Sequence, residues 1–127
     1  MKRKALTITL AAVMAMGTCA VTASAADGDK YTIGICQLVQ HEALDAATQG
    51  FKDEIVKELG EDAVTFDEQN AQGDSNTCST IINSFVSTNE DLILANATAS
   101  LQAAAAGPSD SPILGTAVTA YGVALDL

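Results

Sequence analysis

The segment 31–51, YTIGICQLVQHEALDAATQGF, carries the pattern that most constrains the fold. Its first six residues, 31–36, are rich in β-formers but too few for a helix, which predicts a buried strand. A polar loop at 37–41 follows. The apolar residues after this loop recur at the three-to-four spacing of one helical face, and they are Leu44, Ala47, Phe51, Ile55 and Leu59. A strand, a short polar loop and a helix in this order predict the first βα unit of a parallel sheet.

The same unit recurs along the rest of the chain. Residues 63–68 alternate between apolar and polar, which predicts a strand near the edge of the sheet. Asp74 or Ser75 is predicted to cap the helix that follows. The apolar stripe of this helix consists of Cys78, Ile81, Ile82, Phe85 and Val86. Short apolar runs at 92–95 and 112–118 predict a third and a fourth strand.

An alanine-rich helix is predicted between the third and fourth strands, with Thr98 or Ser100 as its cap and its end at Gly107. Alternation of strands and helices at intervals of roughly 30 residues is typical of a doubly wound parallel sheet. The sequence therefore predicts an α/β fold built on such a sheet. After the fourth strand, residues 121–127 form another apolar run.

The polar loops that follow the four strands are predicted to form one site. All strands of a parallel sheet point the same way, so these loops share the edge where open α/β sheets bind ligands. The polar candidates are Gln37, Gln40, His41, Asn70, Gln72, Asn96, Thr98, Thr116 and Thr119. Amides and hydroxyls suit hydrogen bonding to a small polar ligand, and helix N-termini suit an anionic group. Each candidate can also serve only its own loop or helix, as a cap or a backbone partner.

The candidate set indicates binding rather than catalysis. His41 is the only histidine, and no Ser/His/Asp or paired-carboxylate arrangement can be assembled around it. The sequence has no zinc-ligand spacing and no GxGxxG motif for a dinucleotide. We therefore expect no catalytic residue, no metal site and no cofactor. Cys36 and Cys78 are interpreted either as buried free thiols or, after export, as a disulfide.

Residues 1–25 are predicted to be a signal peptide. Residues 2–4 are cationic, the run behind them is apolar, and Ala-Ser-Ala at 23–25 fits a cleavage site. One alternative is a membrane anchor, for which the apolar run falls short of the about 20 residues that a span needs. Another is a bacterial lipoprotein signal with its lipid on Cys19. Cleavage at the triplet makes 26–127 an exported domain, either periplasmic or on the surface of a bacterial cell.

The exported part is strongly acidic. After cleavage Lys30, Lys52 and Lys57 remain against 16 acidic residues. So few cations cannot neutralise phosphates, which excludes nucleic acid as a partner and disfavours an anionic membrane surface. The acidic residues are predicted on solvent-exposed helix faces and in turns, where they keep the protein soluble.

Four sequence blocks resemble the substrate-binding proteins of a group of bacterial ABC transporters, some of them linked to tryptophan or other aromatic amino acids. The blocks are IGICQLVQHEALDAATQGF, DEQNAQGDSNTCSTIINSFV, DLILANATASLQAAA and PILGTAVT, and together they cover nearly all of 31–127. The resemblance implies a class I periplasmic-binding fold, in which two α/β lobes joined by hinge strands hold the ligand between them. Glu42 and Ala120 depart from the family, which tends to have Pro and Asp there. The family's chains run to roughly twice a domain of this length, so 26–127 is expected to be an incomplete first lobe.

Two functional hypotheses stay open. The resemblance implies a solute-binding protein that delivers a small molecule, expected to be an amino acid, to the permease and ATPase subunits of an ABC importer. The alternative is an exported α/β enzyme or a ligand-sensing domain that uses the same edge of the sheet. In the first case the protein meets the membrane only through the permease or through a lipid on Cys19. Without the facing lobe, we expect marginal folding and weak ligand binding.

Overall fold

The computed structural model describes residues 28–127, and the predicted signal peptide lies outside them. Strands and helices alternate along this part of the chain. The strands are β1 Tyr31–Gln37, β2 Val64–Asn70, β3 Leu92–Asn96 and β4 Ile113–Thr116. The helices are α1 Glu42–Leu59, α2 Ser75–Thr88, α3 Thr98–Ala106 and α4 Tyr121–Ala124, with a 3-10 turn at Glu61–Ala63. Within residues 28–127 no helix has the length and apolar character needed to cross a membrane.

The four strands form one parallel sheet in the order β2-β1-β3-β4. This confirms the predicted α/β fold and the edge position of β2. The fourth strand is shorter than the predicted 112–118, because Ala117 has a φ of 55°. Such a left-handed conformation cannot continue an extended strand. The apolar run at 121–127 contains the short helix α4.

Helices α2 and α3 cover one face of the sheet. The core on this face contains Cys36 of β1, Ile93 of β3, Phe85 of α2 and Leu101 of α3. The predicted stripe of α2 is confirmed, since four of its members are buried and Val86 is partly buried against the same core. Close packing here depends on Gly34, because a Cβ at this position would lie 2.7 Å from Phe85 Cγ.

Helix α1 covers the other face. Phe51 and Ile55 pack against Ile33, Ile35 and Leu94 of the sheet, as the predicted helical face requires. The last member of that face was predicted wrongly, because Leu59 is 44% exposed. A helix of 18 residues is about 27 Å long and a strand of seven residues is about 23 Å long, so the final turn of α1 extends past the sheet.

Asp74 is the N-cap of α2, one of the two caps that the sequence predicts. Its carboxylate accepts hydrogen bonds from the Thr77 hydroxyl at 2.8 Å and from the Asn76 N–H at 3.0 Å. These two bonds, the one from Thr77 first, lower the pKa of Asp74. The ionised carboxylate therefore stabilises the folded state.

Asp74→Ala is expected to lower the melting temperature by a few degrees at neutral pH, because two donors of the first helical turn lose their acceptor. Asp74→Asn keeps an acceptor and is the matched control, with a smaller loss. Because the folded pKa is lowered, the contribution of the carboxylate is present above the ordinary Asp pKa and is lost as the pH falls through the folded value. Melting curves across this range should show the wild type approaching Asp74→Ala in acid. Equal melting temperatures at neutral pH would contradict the capping role.

Candidate functional site

The carboxyl ends of the four strands bring polar residues into one row. The residues paired across the sheet are, in order, Asn70, Gln37, Asn96 and Thr116. Backbone bonds continue this pairing into the loops, since Ala71 N donates to Gln37 O at 2.9 Å and Leu38 N donates to Asn96 O at 3.2 Å. We call this edge the rim, which comprises the four strand ends and the loops 37–41, 70–74, 96–98 and 116–120. The prediction that the polar loops meet at one edge of the sheet is confirmed.

All nine candidate residues lie on the rim, but their side chains differ in exposure. The exposed ones are Gln40, His41, Asn70, Gln72 and Thr119. Thr98 and Thr116 are half-buried. An open cavity of about 390 Å³ lies between the first two loops and is lined by Val39, Gln40, Asn70 and Gln72. It offers three amide side chains beside one apolar side chain.

Several candidates also hold their own loop in place. His41 is the N-cap of α1, and its Nδ1 accepts from Ala43 N at 3.1 Å. Asn70 Oδ1 accepts from the N–H of Gln72 at 2.8 Å, which closes the second loop around the positive φ of Gln72. Each of these side chains keeps a second polar atom for other contacts. The structural and ligand-binding interpretations of these residues are therefore compatible.

The side chains of Gln37 and Asn96 do not face the rim surface. They are 4% and 0% exposed, respectively, and they point to α1. Thr48 Oγ1 donates to Gln37 Oε1 at 2.7 Å and accepts from Asn96 Nδ2 at 2.9 Å. Gln37 Nε2 also donates to Asp45 Oδ1 at 2.6 Å. We call these four residues, Gln37, Asp45, Thr48 and Asn96, the α1 network.

Asp45 and Thr48 were missed by the sequence analysis. Asp45 lies beside the predicted apolar face of α1, where a polar residue is expected to be solvent-exposed, and Thr48 lies on that face, four residues after Leu44. The available signal was the presence of a polar residue, Thr48, on the side that the helix buries. The partners of Thr48 become visible only in the structure, where α1 packs against the ends of β1 and β3.

The N-terminus of α3 lies on the rim without a side-chain cap. The N-cap is Ala97, so the predicted caps Thr98 and Ser100 are wrong. Thr98 Oγ1 instead accepts from Thr119 N at 3.4 Å, and Ser100 is buried against the thiols of Cys36 and Cys78. By contrast, α1 and α2 receive side-chain caps. The first N–H groups of α3 are thus left for another acceptor.

Ala97 adopts a strained backbone conformation at this helix start. Its φ of 93° and ψ of 162° lie in a region that is nearly restricted to glycine. The strain is held by pairing on both sides, since Ala97 N donates to Thr116 O at 2.9 Å and Ala97 O accepts from Leu101 N at 3.1 Å. The turn places the N-terminus of α3 at the rim, from where the helix runs back over the sheet.

The two ion pairs found within residues 28–127 lie away from the rim loops. Lys52 pairs with Glu68 at 2.9 Å, and Lys57 pairs with Glu54 at 3.1 Å, both on or beside α1. Within residues 28–127 no group of three or more His, Cys, Asp and Glu side chains could hold a metal ion. The two cysteines of this part of the chain are free thiols.

A larger cavity, about 650 Å³, lies elsewhere, between α1 and the edge strand β2. It is lined by charged and apolar side chains, among them Lys52, Asp53, Val56 and Phe66. It is an open groove along a sheet edge, lined by the first residues of β2 and not by the carboxyl end of a strand. The rim is the stronger candidate, because the carboxyl ends of parallel strands and a helix N-terminus meet there.

Comparison with known proteins agrees with this geometry. The sequence model of a family described as ABC transporter substrate binding protein matches residues 32–125. A tyrosine-binding protein of Clostridioides difficile (strain R20291) is 45% identical over 93 residues, which cover 68% of this chain and 26% of the relative. The chain thus spans about a quarter of the length of this relative.

Solved structures show the same likeness. A substrate-binding protein with adhesive properties from Clostridium difficile, in a ligand-free, open form, is 43% identical with a TM-score of 0.71, over 74% of this chain and 32% of that one. A Streptococcus pneumonia ABC domain in complex with L-Trp is 30% identical with a TM-score of 0.71, over 76% of this chain and 33% of that one. The matched part is therefore about a third of each of these structures.

Proposed function

This chain belongs to the family of ABC transporter substrate-binding proteins, and we propose that it forms part of the extracytoplasmic solute-binding component of an ABC importer. Its ligand is a free amino acid with an apolar or aromatic side chain, held in a cleft between this lobe and a second one. The permease and ATPase subunits of the importer are its protein partners. The predicted signal peptide at 1–25 supports export to the periplasm or the cell surface.

The observation that carries the proposal is the N-terminus of α3, which lies on the rim without a side-chain cap. The dipole of α3 stabilises a carboxylate at this end by about 0.3–1 kcal/mol. Each hydrogen bond from a free N–H group to the charged acceptor adds about 1.5–3 kcal/mol. We therefore expect the ligand's carboxylate to bind beside Thr98. Thr116 and Thr119 lie next to Thr98 across the rim.

The first two loops supply the remaining contacts. Val39 is exposed and apolar, and it lies among the amides of Gln40, Asn70 and Gln72. This surface suits the apolar part of a ligand with hydrogen bonds around it. His41 adds one ring nitrogen at the start of α1. The named ligands of two relatives, tyrosine and L-Trp, support an aromatic amino acid.

Calorimetric titration of the whole protein with L-tyrosine, L-tryptophan and their carboxamides tests this proposal. The free acids are expected to bind, and the carboxamides to bind at least tenfold more weakly, because the amide removes the charge that α3 stabilises. L-lysine is the control for side-chain class and is expected not to compete. Equal affinity for acid and carboxamide would show that α3 does not hold the carboxylate.

A further inference from the structure

The α1 network joins one helix to two neighbouring strand ends. Thr48 is buried and is the point where the two branches meet, since its hydroxyl donates to Gln37 and accepts from Asn96. Asn96 Nδ2 has a second acceptor, Leu44 O, at 2.9 Å. Both hydrogens of the Asn96 amide are therefore directed to α1, and its Oδ1 has no partner among the described residues.

Each branch of the α1 network continues into a rim loop. Gln37 Nε2 donates to Val39 O at 2.9 Å, so the orientation of the Gln37 amide fixes the loop that lines the rim cavity. Asn96 directly precedes Ala97, the strained residue at which α3 begins. The two loops are also joined by the bond from Leu38 N to Asn96 O.

We propose that Thr48 is a positioning residue of the ligand site, which holds Gln37 and Asn96 toward α1 and thereby sets the first and third rim loops. This inference rests on the proposed function. Gln37 and Asn96 then act through the backbone of their loops and not by touching the ligand. The ligand is contacted instead by loop N–H groups and by the exposed rim side chains.

The chemistry of the site favours a hydroxyl at position 48. Only a side chain that donates and accepts at the same atom can satisfy Gln37 Oε1 and Asn96 Nδ2 together. Buried polar groups are costly without a partner, so a network of this kind restricts the conformation of the loops that it reaches. Valine has nearly the shape of threonine but makes neither bond.

Thr48→Val in the full chain tests the proposal, with Thr48→Ser as the matched control that keeps the hydroxyl. In the ligand-free protein, amide chemical shifts of residues 38–40 and 97–99 are expected to move in Thr48→Val and to stay near wild type in Thr48→Ser. In the whole protein, Thr48→Val is expected to bind L-tryptophan at least tenfold more weakly at a temperature where both variants are fully folded.

Asp45→Ala provides a second variant that does not disturb the core, because Asp45 is exposed. It removes only the bond from Gln37 Nε2 to Asp45 Oδ1 and leaves both bonds of Thr48 in place. The hold on the Gln37 amide is therefore weakened, so shifts are expected at 38–40 and not at 97–99. This asymmetry keeps the proposal testable even where Thr48→Val fails to fold.

Unchanged loop shifts in both variants, or unchanged affinity in a folded Thr48→Val, would overturn the positioning role. A wild-type protein that binds no amino acid would instead overturn the proposed function. In that case the amide chemical shifts of the ligand-free variants still test the α1 network. A loss of stability in Thr48→Val with loops and affinity intact would reduce Thr48 to a structural contact.

Discussion

Phe85→Ala is expected to lower the free energy of unfolding by about 3–5 kcal/mol. Phe85 is fully buried on α2, and its ring lies directly over Gly34 of β1. Removing the ring leaves a cavity where helix and sheet meet, and a domain of this size has little stability to spare. Chemical denaturation followed by circular dichroism measures the loss.

Gly34→Ala tests the same contact from the other side. A Cβ at Gly34 would lie 2.7 Å from both Cγ and Cδ2 of Phe85, so the ring must shift. Overpacking of this kind costs about 1–3 kcal/mol. In the Phe85→Ala background the added methyl group meets no ring and fills part of the cavity, so it is expected to be neutral or stabilising there.

The coupling free energy measured by this double-mutant cycle is therefore expected to have a definite sign. Gly34→Ala together with Phe85→Ala is expected to be less destabilising than the sum of the single changes by about 1 kcal/mol or more. Gly50→Ala is the control, because Gly50 is exposed in α1 with no neighbour within 4 Å of a Cβ. It is expected to stabilise the protein by about 0.5–1 kcal/mol in either background. Additive effects at Gly34 and Phe85 would contradict the packing described for this face.

The strands and their order of appearance could be predicted from periodicity, because each apolar run is bounded by polar loops. The row of Asn70, Gln37, Asn96 and Thr116 was predictable for the same reason, since these residues follow or end those runs. Parallel pairing then places them together without further information.

The direction of the side chains in this row could not be predicted. Successive side chains of a strand point to opposite faces of the sheet. Gln37 and Asn96 fall on the face covered by α1. Their burial depends on Thr48, whose neighbours come from strand ends that are 11 and 48 residues away along the chain. The missing cap of α3 has a similar cause, because the paired backbone of Ala97 overrides the capping preference of Thr98.

The buried thiol of Cys36 is expected to make the fold sensitive to alkaline pH. Burial is the main cause that raises the pKa of Cys36 from 9.0 to about 12. In the unfolded chain the thiol ionises near its ordinary pKa, while in the folded protein it stays protonated up to the raised value. Its contribution to stability is therefore fully present below pH 9.0 and is lost as the pH rises toward 12.

Denaturant unfolding of the wild type and Cys36→Ala measures this effect. Between pH 9 and 11 the wild type is expected to lose on the order of 1 kcal/mol per pH unit more than the variant. A reductant is present throughout, because a Cys36–Cys78 disulfide would remove the titrating thiol. All other ionisable side chains are the same in both proteins, so the difference between the two curves isolates Cys36. Parallel curves would show that the thiol ionises equally easily in the folded and unfolded chain, and hence that the packing of α2 and α3 over β1 does not exclude water.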